Sequence, residues 1–220
     1  MMISELFAKG GPVVWILAGY SLVALTIIVE RLIHFALLGR VPTDFGKQAR
    51  SALHVGTLGK LTARHRGPEV NVMRAVLEAS GEGIRELSRV AERVGSQELQ
   101  RMERGFRTLA ILGNTAPLLG LFGTITGMIK AFMVIEAAGG RVDAQALAGG
   151  IWEAMVTTGV GLAVAIPVLL ILHLLEGMAD RRAQSMKACA SLVLERLPHA
   201  PEADEEEDAV HHRDGGIHAF

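Results

Sequence analysis

Residues 12–29 form a run of 18 positions without a charged side chain, closed by Glu30 and Arg31. Crossing roughly 30 Å of hydrocarbon takes about this many apolar residues as a helix. Two further runs have the same character. Residues 108–135 carry one charge, Lys130, and residues 154–175 carry none. Both are longer than an ordinary buried helix needs. The composition agrees: half the chain is hydrophobic but only 5% is aromatic, so Leu, Ile, Val, Ala and Met, with 25 glycines, make up the apolar mass. Such usage is that of membrane helices. The first run differs from a cleaved signal peptide in its length, its thin basic flank at Lys9, and the lack of a small-x-small motif before Glu30. It is read as a retained span.

These boundaries divide the chain. Residues 1–11 precede the first span, 12–30; a largely helical loop, 31–107, separates it from the second, 108–135. A short connection, 136–150, contains Gly139, Gly140, Arg141 and Asp143 and reverses the chain into the third span, 151–175, so the second and third spans form an antiparallel hairpin. A helical extension, 176–197, follows, and from Pro198 to the end the chain is acidic and His-containing, with Glu205, Glu206, Glu207, Asp208, His211 and His212. That tail has too little apolar surface to pack and is expected to be disordered. The fold class is an all-α integral membrane protein of three transmembrane helices with a helical cytoplasmic domain.

Basic residues set the orientation. Arg31 and Arg40 follow the first span, Arg101, Arg104 and Arg107 precede the second, and Arg181, Arg182 and Lys187 follow the third, whereas the opposite ends hold only Lys9 and Arg141. The positive-inside rule then places the amino terminus outside and the carboxyl terminus inside. Within the loop, Gly67-Pro68 is a break. Beyond it Val70, Met73, Val76 and Leu77, then Ile84, Leu87, Val90 and Val94, then Leu99, Met102 and Phe106 recur at helical spacing, which predicts an amphipathic helix leading into the second span. Its Glu and Arg residues nearly balance, which argues against nucleic-acid binding.

The hairpin holds the chemistry. Gly113, Pro117, Gly120, Thr124, Gly127 and Ala131 follow at steps of 4, 3, 4, 3 and 4, and Gly150, Ala154, Thr158, Gly161 and Ala165 at steps of 4, 4, 3 and 4. Each series stacks on one helical face. Close packing is the plain use of such faces, and Gly113, Gly120, Gly127, Ala154, Gly161 and Ala165 are assigned to it. Thr124 and Thr158, one hydroxyl near the middle of each face, also suit the lining of a polar path, because alanine would have packed as well. Antiparallel pairing gives these threonines a common depth and sets Lys130 and Glu153 near the outer boundary. There they can snorkel, pair, or flank the mouth of a passage; Lys130 is read as an interfacial snorkeler, and His173, near the inner end of the third span, is read as interfacial too.

The runs NTAPLLGLFGTITGMIKAF at 114–132 and GIWEAMVTTGVGLAVAIP at 150–167 resemble the signature hairpin of the MotA/TolQ/ExbB proton channel family. The resemblance is close over about 60 residues and extends in layout over most of the chain. It implies a ring-shaped homo-oligomer, typically a pentamer, in the bacterial inner membrane. The ring would enclose the single spans of an ExbD/TolR-like partner, and proton flow would drive transport or envelope work through a TonB/TolA-like protein. It further implies that Thr124, Thr158 and Glu153 line the proton pathway while the partner carries the protonatable aspartate. This chain has no carboxylate deep in a span, which agrees with the need for a partner. Hydroxyls can also ligate a sodium ion. Three spans instead of four favour the ExbB/TolQ branch over a flagellar stator. Leu172 and His173 stand where many relatives have Tyr-Asn, so cytoplasmic-end contacts are expected to differ.

The other readings are simpler. A passive oligomeric scaffold would use both small faces for packing alone. An enzyme lacks support, since there is no phosphate loop, nucleophile elbow or metal-ligand spacing on an ordered element. No cofactor and no metal site are expected, and the sole cysteine, Cys189, excludes an intramolecular disulfide.

Overall fold

The computed structural model describes residues 11–38, 67–137 and 144–195, all in helices or their short links. The first ten residues, much of the loop, part of the connection and the acidic tail lie outside the described residues. Five helices follow in order: α1 Gly11–Leu37, α2 Pro68–Gly81, α3 Leu87–Met102, α4 Phe106–Ala137 and α5 Ala144–Leu194. There is no strand among the described residues.

Three of these, α1, α4 and α5, are long and apolar enough to cross a membrane. At 1.5 Å per residue they measure about 40, 48 and 76 Å, more than the roughly 30 Å of hydrocarbon. α4 reaches Ala137 and α5 resumes at Ala144, inside the stretch expected to connect the spans. α4 and α5 continue through Pro117 and Pro167. Membrane helices tolerate that interruption because neighbouring helices and hydroxyls satisfy the freed backbone groups. Trp15, Leu22, Leu118, Phe122, Met155 and Leu170 are among the large apolar side chains left exposed. On a soluble protein such a surface would aggregate, whereas hydrocarbon solvates it.

The chain divides into two compact units. The membrane unit takes Met1–Arg40 and Gln97–Gln184. Its core joins all three long helices: Val13 and Leu17 of α1, Ala116 of α4 and Ala165 of α5, flanked by Tyr20, Leu119, Val160 and Val164. Toward the far end of α1, Arg31 is buried, donates through Nη1 to the carbonyl of Arg101 at 2.9 Å, and pairs with Glu30. The carbonyls of a helix's last turn have no partner of their own, so this bond satisfies one of those of α3. Instead of one helix leading into the second span, α3 ends at Met102 and α4 starts at Phe106. Gly105 makes the break at φ +89°, a conformation side-chain-bearing residues avoid.

The second unit takes Val41–Ser96 and Ser185–Phe220. Pro68 opens α2 at its first turn, where a missing N–H costs nothing. The helix buries Val70, Met73 and Val76 as the spacing predicts, together with Val72, Ala79 and the carboxylate-bearing Glu69. Leu77 is only half-buried and Ile84, outside any helix, is 43% exposed. Cys189, with Met186, Ala190 and Val193 of α5, is buried in the same unit. Burial and the nearby Glu69 charge push its thiol up to about 11.

Candidate functional site in the helical hairpin

Close approach fixes the register of α4 on α5. A Cβ on Gly120 would stand 3.1 Å from the Thr157 carbonyl oxygen and from Thr158 Cα, and one on Gly161 would stand 2.8 Å from the Ala116 oxygen. Toward one end, Gly127 meets Ala154, and Gly150 meets Ala131. Toward the other, Gly113 meets Val168 and Leu169, so the seam changes from small-on-small to glycine-on-leucine. Backbones this close gain dispersion and weak polar contacts without help from water.

Gly113, Gly120, Gly127, Ala154, Gly161 and Ala165 are all buried. The seam nevertheless runs one residue aside from the stripe read in the sequence. Ala116 and Gly123 are buried, while Pro117 and Thr124 are partly exposed at the edge. The reason is Thr157: it is 2% exposed, and its side chain fills the space beside Gly123, where a Cβ would be 2.5 Å from Thr157 Oγ1. The sequence pattern does not single out Thr157, although Gly120, Gly123 and Gly127, at steps of 3 and 4, form a second usable stripe on the facing helix.

Each hydroxyl has an acceptor. Thr157 Oγ1 donates to the Ala154 carbonyl at 2.8 Å and Thr124 Oγ1 to the Leu121 carbonyl at 2.6 Å, both within their own helix. Thr158 Oγ1, half-buried, donates across the seam to the Gly120 carbonyl at 3.1 Å. Since Gly123 faces Thr157, Thr124 and Thr158 lie two residue steps apart along the axis, about 3 Å. Thr124 and Thr158 are both partly exposed, one on each helix of the hairpin.

Glu153 and Lys130, the snorkeler of the sequence reading, meet: Lys130 Nζ stands 3.0 Å from Glu153 Oε1. The same oxygen lies against the head of α1, where a Cβ on Gly11 would be 2.7 Å away. Gly11 has φ +62°, a backbone conformation that favours glycine. At the opposite end of the third apolar segment, His173 Nδ1 and Glu176 Oε2 are 3.0 Å apart on an exposed face. No group of three or more metal-binding side chains occurs among the described residues. The arrangement offers two hydroxyls about 3 Å apart in depth, with a carboxylate and an ammonium nearer one end.

Comparison with known proteins agrees with this picture. An ExbB homolog of Methanothermobacter thermautotrophicus is 29% identical over 80% of this chain, which spans 63% of that protein's length. An ExbB-like biopolymer transport protein of Synechocystis is 32% identical, with 84% of this chain and 75% of the relative covered. The biopolymer transport protein exbB1 of Vibrio cholerae is 30% identical over 81% of both. The sequence profile of one family matches residues 64–188, more than half of the chain and all of the hairpin seam. On that match and those relatives, this membrane protein belongs to the MotA/TolQ/ExbB proton channel family.

Proposed function

We propose that this chain is the ring-forming subunit of an energy transducer of the ExbB/TolQ type in a bacterial inner membrane. A homo-oligomer, a pentamer by the family resemblance, encloses the spans of an ExbD/TolR-like single-span protein. Proton flow past Thr124, Thr158 and Glu153 powers work through a TonB/TolA-like protein. The observation that supports this reading is the pair of threonines within about 3 Å of one depth on adjacent helices. They lie in spans that hold no carboxylate at that depth, so a protonatable group must come from elsewhere.

A passive scaffold is the second reading, and one observation favours it. Thr158 already spends its hydroxyl proton on the Gly120 carbonyl, as a packing threonine would. The two readings separate on substitution. Interhelical hydrogen bonds in membranes contribute about 0.6 kcal/mol on average, so a scaffold tolerates Thr158→Ala. A proton path does not. The test is co-purification with the neighbouring single-span candidate, followed by proton flux in liposomes for wild type, Thr158→Ala and Glu153→Ala. Loss of flux in intact mutant complexes is expected; equal flux in all three makes the stripes packing surfaces only.

A further inference from the structure

We infer that Lys130 is a positioning residue for Glu153: it holds that carboxylate at the end of the hairpin and has to release it before the carboxylate can serve a passing cation. This rests on the proton-path reading above. Three helices converge on one oxygen, since Glu153 Oε1 is 3.0 Å from Lys130 Nζ of α4 and packs against Gly11 at the head of α1. Along the axis Lys130 lies about 4.5 Å beyond Glu153 in the register that Gly123 and Thr157 set; side chains lean toward their helix N-terminus, so on these antiparallel helices the two lean toward each other, and Lys130 Nζ meets the carboxylate instead of extending outward. A snorkelling cation would extend.

The exposures give the pair a direction of movement. The Lys130 side chain is 57% exposed and that of Glu153 26%, so the ammonium has room to leave while the carboxylate stays between the helices. Paired, the two present no net charge to an approaching cation. Once the lysine swings away, a single negative charge remains about 4.5 Å along the axis from Thr124 and about 7.5 Å from Thr158. Lys130 thus competes with the transported ion for one carboxylate, and flux is slower with it than without it.

Two readouts test this on the full chain in its complex. A zero-length carbodiimide joins the Lys130 amine to the Glu153 carboxyl as an amide with loss of water, and peptide mass spectrometry detects the product. The expected results are a 130–153 link in wild type, flux lost on linking, flux raised several-fold in Lys130→Gln, and near-wild-type flux in Lys130→Arg. Assembly of each variant is checked by size before flux is read. Three results overturn the inference while leaving the proton path standing, provided Glu153→Ala still abolishes flux: no 130–153 link, unchanged flux in Lys130→Gln, or lowered flux in Lys130→Gln. If Glu153→Ala conducts as wild type does, the path itself is wrong and Lys130 has nothing to position.

Discussion

Gly159 and Gly161 are two residues apart on α5 and meet different surroundings. A Cβ on Gly159 would find nothing within 4 Å, whereas one on Gly161 would press on the Ala116 oxygen at 2.8 Å and on Gly120 Cα at 3.1 Å. Those are backbone atoms, and they can yield only if the helices part. Gly159→Ala is therefore expected to melt at or slightly above wild type, since alanine is the better helix former by about 0.5–1 kcal/mol. Gly161→Ala should lose about 1–3 kcal/mol, the usual cost of overpacking, read as a lower melting temperature in detergent. Equal melting of the two variants would show that the seam is looser than described. Cys189 makes a second residue-scale case, in the second unit beyond the charges Asp180, Arg181 and Arg182. Its folded thiol ionises near 11 against an ordinary 9.0. Below 9 both folded and unfolded thiols are neutral; between 9 and 11 the unfolded chain alone loses the proton, so stability falls as pH rises through that window. Cys189→Ala should flatten that fall in a denaturant titration. At neutral pH the native thiol should resist disulfide reagents that modify it once the chain is unfolded.

Helices are where the sequence speaks most and least clearly. The spans are legible because an uncharged run of membrane length admits few other structures, and the hairpin because Gly139 and Gly140 interrupt two such runs. The seam is only half legible. On α4 both 113, 117, 120, 124, 127 and 113, 116, 120, 123, 127 have helical spacing and small residues, and only Thr157 of α5 beside Gly123 selects the second. The break before α4 is not legible either, because Gly105 carries no apolar-periodicity signal and its φ of +89° is a backbone property. At that break the burial of Arg31 ties α1 to the end of α3, although Arg31 reads in sequence as a flanking charge. Arg31→Ala removes the donor to the Arg101 carbonyl and leaves Glu30 without its partner. A cost of about 1.5–3 kcal/mol is expected, the range for a hydrogen bond to a charged group. Arg31→Lys, with its single-point ammonium, should recover only part of that melting loss. A wild-type melting curve for Arg31→Ala would mean the contact is incidental.

At the scale of the whole molecule, orientation decides what the described ion pair can face. Arg101, Arg104 and Arg107 before α4's apolar run and Arg181 and Arg182 after α5's lie at the same end of the hairpin, while Lys130 and Glu153 lie toward the other. If the basic end is cytoplasmic, as the positive-inside rule requires, the Lys130–Glu153 pair stands on the side from which protons enter under a proton-motive force. The native cysteine makes this testable with little engineering, because Cys189 is buried and can be removed as Cys189→Ala. In that background a cysteine replacing Glu136 is expected to react with a membrane-impermeant maleimide in intact spheroplasts. One replacing Arg181 should react only after the membrane is opened. Both positions are exposed, so access and not burial controls the reaction. The reverse pattern would turn the hairpin over, place Lys130 and Glu153 on the exit side, and require the ion to reach the threonines before it meets the carboxylate.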